Sequence, residues 1–282
     1  MAAPTSGVID VWAQPGFPQL LHMPEMESLR RWSKIAPPPE GISIELTLAE
    51  MDATGVKKAF LRPWMRPEEV IISNDDIAAI VQEHPGRLAA FAGVNPVEGK
   101  KAVEELERCV KELGFKGCGE FGYMDLLDER CFPIYKKCIE LDVPILIHTG
   151  FTSPSCPLKY GSPVPLDEVA MLYPDLTIIA AHCGFPWFLE LASVLARRPN
   201  VYVDVSALGV PALPDMLRQQ VIFAFLGMGV RRVLFGTDFP AVRPSLYAPY
   251  VRKLRPTEAD TNMIMGENAA RLLKLDTTGA AK

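Results

Sequence analysis

The chain predicts a single-domain TIM (β/α)8 barrel. Three observations carry that expectation. Eight short apolar runs alternate with longer segments of helical periodicity along 282 residues, the pattern of a parallel sheet with crossover helices. Hydrophobic residues make up 49% of the chain, enough to fill a barrel interior and the layer beneath its helices. Several of the runs end in an ionisable residue, which is where a barrel of this kind carries its chemistry.

Strands are expected at 8–12, 57–62, 88–94, 115–121, 143–148, 176–182, 201–205 and 232–237. Eight strands favour closure over an open sheet, and such barrels run to ~250 residues as one domain. The domain is therefore read as 1–282, with two loop excursions on the catalytic face. The first, 14–44, follows strand one and carries Pro15, Pro18, Pro24 and the triplet Pro37, Pro38, Pro39. The second, 149–165, follows strand five and carries Pro154, Pro157, Pro163 and Pro165. Loops this long in a compact domain serve as lids or binding loops, and proline stiffens them.

The helix boundaries have local causes. Thr47 and Glu50 read as a capping box opening a helix that Gly55 ends. Ser73 or Asn74 caps the next, which Pro85-Gly86 stops. Val103, Leu106, Val110 and Leu113 form an apolar stripe over 98–113, stopped by Gly114. Residues 128–141 repeat the pattern. Residues 259–273, interrupted near Gly266, close the chain as a final helix over the barrel.

Composition removes several function classes. The net charge is −5 and the longest basic clusters are the pairs Lys100-Lys101 and Arg231-Arg232, so no nucleic acid is expected as a partner. No apolar run approaches the ~18 residues of a membrane span. Residues 1–7 have neither the basic start nor the apolar centre of a secretory signal, so a cytoplasmic protein is expected. The six cysteines, Cys109, Cys118, Cys131, Cys138, Cys156 and Cys183, contain no C-x-x-C pair and read as free thiols.

Four strand ends carry chemistry: Glu120 after Cys118-Gly119, His148 after Ile147, His182 after Ala181, and Asp238 after Gly236-Thr237. Alternation groups Cys118 with Glu120, Leu146 with His148, Ala180 with His182 and Leu234 with Asp238. If those faces point inward, the four groups converge on the barrel mouth. One histidine after an apolar strand is more often a packing residue than a catalytic one. Four polar ends on one face are far harder to assign to packing. His84 stands at a helix end and reads as structural, while His22 in the first loop has no informative context.

Longer segments sharpen this. Met51–Val56, His84–Arg87, Leu113–Gly117, Pro144–Gly150, Ala181–Gly184, Asn200–Asp204, Phe235–Pro240 and Gly266–Leu273 resemble, in register, the amidohydrolase-2 branch of the amidohydrolase superfamily. This branch is related to aminocarboxymuconate semialdehyde decarboxylase and to dicarboxylate lactonases. The resemblance implies a divalent metal held by a strand-one His-x-His or Glu-x-His pair, by His148 and by Asp238. It implies that His182 orients substrate or water and that Asp238 moves the proton. The departure is at strand one, where the motif falls on Ile9-Asp10-Val11-Trp12-Ala13-Gln14. Indole nitrogen carries a proton and cannot bind a metal, and an amide oxygen is a weak ligand for zinc.

Two cofactor states are therefore expected. One is no metal; the other is a single divalent ion, zinc, on His148 and Asp238 with His182 or Glu120. Catalytic roles fall to Asp238, His182, His148 and Glu120. Substrate binding falls to Trp12, Gln14, Arg62 and Arg243, the indole by stacking and the guanidiniums by pairing with carboxylates. The expected reaction is hydrolysis of a small, flat or carboxylated lactone, ester or amide, with Asp238 as general base. The alternatives are non-oxidative decarboxylation of an aromatic or unsaturated carboxylate, and a retired barrel kept for ligand or partner binding. The resemblance is also compatible with a homodimer.

Overall fold

Every barrel strand bonds to two parallel neighbours. The computed structural model describes residues 7–27, 30–31, 34, 36–65, 69–152, 156–209, 213–253 and 257–275. Strands β1 (Val8–Asp10), β2 (Val56–Leu61) and β5 (Leu88–Ala90) form one parallel set. Strands β6 (Cys118–Phe121), β7 (Ile145–Ile147), β8 (Ile178–Ala180), β9 (Val201–Asp204) and β10 (Val233–Leu234) form another. Parallel bridges from Ala92 to Cys118 and from Ala13 to Phe239 join the two sets at both edges. Val11 N also donates to Phe235 O at 3.0 Å. The result is the expected closed ring of eight strands, most of them shorter than the apolar runs suggest. A small antiparallel hairpin, β3 (Trp64–Met65) with β4 (Val70–Ile72), follows β2.

Two apolar layers hold the ring. Inside, Ile9, Val11, Phe60, Phe91, Leu146, Ile179 and Leu234 pack with Ala269, Ala270 and Leu273 of the last helix. Asn268 Nδ2 donates to Val230 O and to Val233 O at 2.8 Å each, fixing that helix at the entry end of β10. The opposite, C-terminal end of the ring is left for the site. Outside, Ile145, Ile147, Ile178, Ala180, Val201 and Val203 pack against helix residues such as Leu106, Ile134, Val169 and Leu191. Each such side chain contributes about 1.5–3 kcal/mol when fully buried.

Several boundaries differ from expectation. The helix Ile44–Thr54 opens one turn earlier than Thr47: Ser43 is the cap, and its side chain accepts Leu46 N at 3.3 Å. Thr47 lies inside, its Oγ1 donating to Ser43 O at 3.0 Å. Gly55, at φ 73°, ends the helix as expected. Ser73, not Asn74, caps Asn74–Glu83 and forms a capping box with Asp76. The interruption near Gly266 is a π-helical turn, Met263–Glu267, between Glu258–Asn262 and Asn268–Leu272. Of the two loop excursions, residues 28–29, 32–33, 35 and 153–155 lie outside the described residues. The first contains a helical turn at Pro18–Leu21, and the second a 3-10 turn at Leu158–Gly161.

Strict alternation holds for Leu146 and Leu234, which point inward, but fails on two strands. Ile179 and Ala181 face the interior while Ala180 faces the helices, so alternation alone would send His182 outward. The chain turns there instead, with φ 57° at His182 and 53° at Cys183. Cys118 likewise packs in the outer layer, so parity does not aim Glu120 inward. The register of β6 against β7 slips between Cys118 and Phe121, and a bulge of that kind re-aims the side chain it carries.

All six cysteines are free thiols, and only Cys156 is not buried. Among the described residues, no helix is long and apolar enough to cross a membrane.

Candidate active site

A buried carboxylate sets the floor of the mouth. Asp10 Oδ1 accepts Trp12 N at 3.1 Å and Thr237 N at 3.0 Å, and its Oδ2 accepts Thr237 Oγ1 at 2.5 Å. Burial raises its pKa to about 7 against these donors. This staple ties the exit of β1 to the exit of β10. Asp238 N then donates to Trp12 O, and Gln14 N to Phe239 O, both at 2.7 Å.

With the backbone so held, the side chains of Trp12 and Gln14 meet Asp238. Trp12 Nε1 donates to Asp238 Oδ1 at 3.0 Å and Gln14 Nε2 donates to the same oxygen at 2.8 Å. Arg62, directly after β2, is wholly buried. Its Cζ lies 3.5 Å from the Trp12 ring centre. Its Nε is 3.5 Å from Glu120 Oε2 and its Nη2 is 3.7 Å from Asp238 Oδ1. Its Nη1 donates to Ala13 O at 3.3 Å. Neither Nε nor Nη2 has a hydrogen-bond partner among the described residues, and neither does Gln14 Oε1. A desolvated cation–π contact supplies about 2 kcal/mol, less than the cost of burying a guanidinium. The two carboxylates must supply the remainder.

The second half of the mouth is a chain of rings and acids. Tyr123 Oη donates to Glu120 Oε1 at 3.1 Å. The same oxygen lies 2.6 Å from His148 Nδ1, and His148 Nε2 lies 2.7 Å from Phe151 O. A carbonyl only accepts, so Nε2 carries a proton. Burial opposes charging His148, but the Glu120 carboxylate outweighs it and the pKa is raised. For Glu120, burial pushes up while His148 and Arg62 pull down, and the pull wins at about 2. His182 Nδ1 lies 2.7 Å from Ser206 Oγ. Burial and the neighbouring His148 hold the His182 pKa well below its ordinary value. The His182 ring meets Trp12 at 4.5 Å and His148 at 4.9 Å, both edge-on. Asp204 Oδ1 accepts Ser206 N at 2.8 Å and His182 N at 3.3 Å, fixing the turn that aims His182. Burial raises Asp238 to about 6, with Arg62 and Gln14 opposing.

The structure thus brings together Trp12, Gln14, Arg62, Glu120, His148, His182 and Asp238. Arg243 is not among them. Its side chain is 66% exposed and its guanidinium lies 3.5 Å from Glu50, so it is a surface cation rather than part of the mouth. His22 is exposed and contacts Pro38 O. Asp10, Tyr123, Asp204 and Ser206 were missed. Asp204 ends the seventh strand and could have been found by asking the strand-end question of every strand. Tyr123 and Ser206 have no signal beyond proximity to Glu120 and Asp204.

As to a metal, Glu120, His148 and His182 each offer a ligand atom, and these atoms lie within 4.8 Å of one another. Two imidazoles and a carboxylate suit a divalent ion. Asp238 is not part of this group, which therefore differs from the expected set of His148 and Asp238 with His182 or Glu120. Glu120 and Tyr123 also line a small open cavity of about 50 Å³, together with Met65, Val94, Phe121 and Met124.

Residues 21–275 match the family model described as amidohydrolase. The chain belongs to the amidohydrolase family. A solved structure of an uncharacterized TIM-barrel protein, Bb4693 from Bordetella bronchiseptica, is similar at a TM-score of 0.78 and 25% identity, covering 95% of this chain and 98% of that one. The gamma-resorcylate decarboxylase of Polaromonas sp. (strain JS666) is 27% identical over 248 residues, 72% of this chain and 76% of its own. A structure of the dihydroxybenzoic acid decarboxylase from Polaromonas sp. JS666, with bound manganese and the inhibitor 2-nitroresorcinol, shares the fold at a TM-score of 0.71 and 21% identity, covering 97% and 99%.

The two Polaromonas relatives are decarboxylases, enzymes that break a carbon–carbon bond, and they correct the expected reaction: the hydrolase reading gives way to the lyase reading. A mouth of histidines and an aspartate serves both reactions. Residue types alone do not say whether water attacks a carbonyl or a proton reaches a carbon. Zinc is not singled out either: the ion in the Polaromonas structure is manganese.

Proposed function

We propose that this amidohydrolase-family barrel, acting as one domain, is a non-oxidative decarboxylase of a small aromatic or unsaturated carboxylate. The observation that carries the reading is Arg62. It is buried at the mouth with two N–H groups lacking hydrogen-bond partners among the described residues, beside an aspartate whose pKa burial raises to about 6. A substrate carboxylate supplies acceptors for those N–H groups. The apolar walls of the neighbouring cavity suit a flat ring.

In this reading Arg62, through its two unpartnered N–H groups, holds the substrate's carboxylate oxygens. Asp238 in its acid form gives its proton to the carbon that bears the carboxylate. The carbon–carbon bond then breaks, its electron pair returns to the conjugated system, and CO2 leaves. Asp238 is left ionised and regains its proton from solvent. Trp12 and Gln14, both donating to Asp238 Oδ1, hold that carboxyl so that Oδ2 is the atom that moves the proton. A divalent ion, manganese or zinc by its ligand chemistry, would add positive charge at the same substrate oxygens.

The test is a panel of 2-hydroxybenzoates, 2-aminobenzoates and unsaturated dicarboxylates, followed by CO2 release. In D2O the product should carry one deuterium at the carbon that lost the carboxylate. Turnover of lactones or esters with no CO2 from any carboxylate would overturn the reading.

A further inference from the structure

We propose that the metal site of this chain is displaced within the barrel mouth. The ion is held by Glu120, His148 and His182 on the exits of β6, β7 and β8, and not by residues at the exits of β1 and β10. The inference concerns binding alone, and it stands whether or not the chain decarboxylates a given acid.

Four observations carry it. First, the β1 exit offers at most one amide oxygen, Gln14 Oε1, a weaker ligand than imidazole or carboxylate. Trp12 and Gln14 both turn N–H groups, not lone pairs, toward Asp238. Second, Asp238 Oδ1 already accepts two hydrogen bonds and lies 3.7 Å from Arg62 Nη2. Third, each histidine has one ring nitrogen engaged by a rigid partner. His148 Nε2 faces Phe151 O at 2.7 Å and His182 Nδ1 faces Ser206 Oγ at 2.7 Å. Metal-bound histidines are oriented in this way, one nitrogen on an outer partner and the other on the ion. That leaves His148 Nδ1 and His182 Nε2 for the ion. Fourth, the ligand atoms of Glu120, His148 and His182 already lie within 4.8 Å of one another. Binding exchanges the Glu120–His148 hydrogen bond for two metal bonds. Glu120 Oε2 keeps its contact with Arg62 at 3.5 Å, so one carboxylate bridges the ion and the guanidinium.

The experiment titrates Mn2+ into metal-stripped protein and reads free Mn2+ by electron paramagnetic resonance, with metal per chain measured by mass spectrometry. One ion per chain is expected, with hyperfine coupling to two nitrogens. Glu120→Gln and His182→Gln should each weaken binding by tenfold or more. Gln14→Ala and Asp238→Asn should stay within about threefold of the parent. Thermal melts confirm that each variant folds, and Glu120→Asp, which keeps a ligand oxygen, should bind better than Glu120→Gln. The displaced site is overturned by binding that survives Glu120→Gln and His182→Gln but fails in Asp238→Asn. It is equally overturned if the folded parent takes up no Mn2+ at millimolar concentration.

Discussion

The guanidinium of Arg62 stacks 3.5 Å from the centre of the Trp12 ring, and both side chains also reach Asp238. A cation, an aromatic face and a carboxylate thus form one unit at the junction of β1, β2 and β10. The indole at position 12 is matched by a positive charge directly over it. Indole is the best aromatic partner for a guanidinium, so the two residues support one another.

Arg62→Lys keeps the charge but loses the planar fork and the stack. The KM for a carboxylate substrate should rise at least tenfold. Arg62→Met should lower kcat/KM by about 10²–10³, the scale of losing one preorganised donor to a developing charge. Both follow from steady-state kinetics. An unchanged KM in Arg62→Met would remove Arg62 from substrate binding.

Asp238→Asn keeps an oxygen for Trp12 and Gln14 but has no proton to give. Activity should fall by about 10²–10⁴ with little change in melting temperature. In the parent, burial raises the Asp238 pKa from 3.8 to about 6, so the acid form is present below that value and is lost above it. The kcat should therefore decline as pH rises through about 6. A profile rising through that range would assign Asp238 the opposite role, a base.

Glu120 and His148 stabilise one another over a definite window. Glu120 is depressed to about 2, so its contribution is present above its ordinary 4.5 and is lost as pH falls toward 2. His148 is raised above 6.5, so its contribution is full below 6.5 and is lost as pH climbs through the raised value. Melting temperature should peak between these limits. In Glu120→Gln the peak should flatten, and the His148 imidazole should titrate at lower pH by NMR.

Gly119→Ala tests how Glu120 is placed. A Cβ at Gly119 would meet Leu146 Cβ at 2.4 Å, at a backbone φ of +150°. The cost should be about 1–3 kcal/mol from overpacking with added backbone strain. Melting temperature and Mn2+ affinity should fall together, because residue 119 directly precedes Glu120. A melting drop with intact metal affinity would separate the two.

Local order along the chain was enough for the barrel. Eight apolar runs, their helical intervals and the stops at Gly55 and Gly114 specify alternating strands and helices, and a count of eight favours the closed ring over an open sheet. Strand-end chemistry was equally legible: Glu120, His148, His182 and Asp238 stand where the apolar runs stop. Tertiary structure decided what those residues face. A register slip in β6 turns Glu120 inward, and positive φ at His182 and Cys183 brings His182 into the mouth. Neither irregularity shows in a two-residue alternation. It also decided that Arg62 belongs inside, buried against Trp12, whereas Arg243 lies outside against Glu50. An arginine's letter says only that it is charged. Its place depends on which carboxylates and rings the closed barrel sets around it, because burial of that charge is tolerated only where such partners converge.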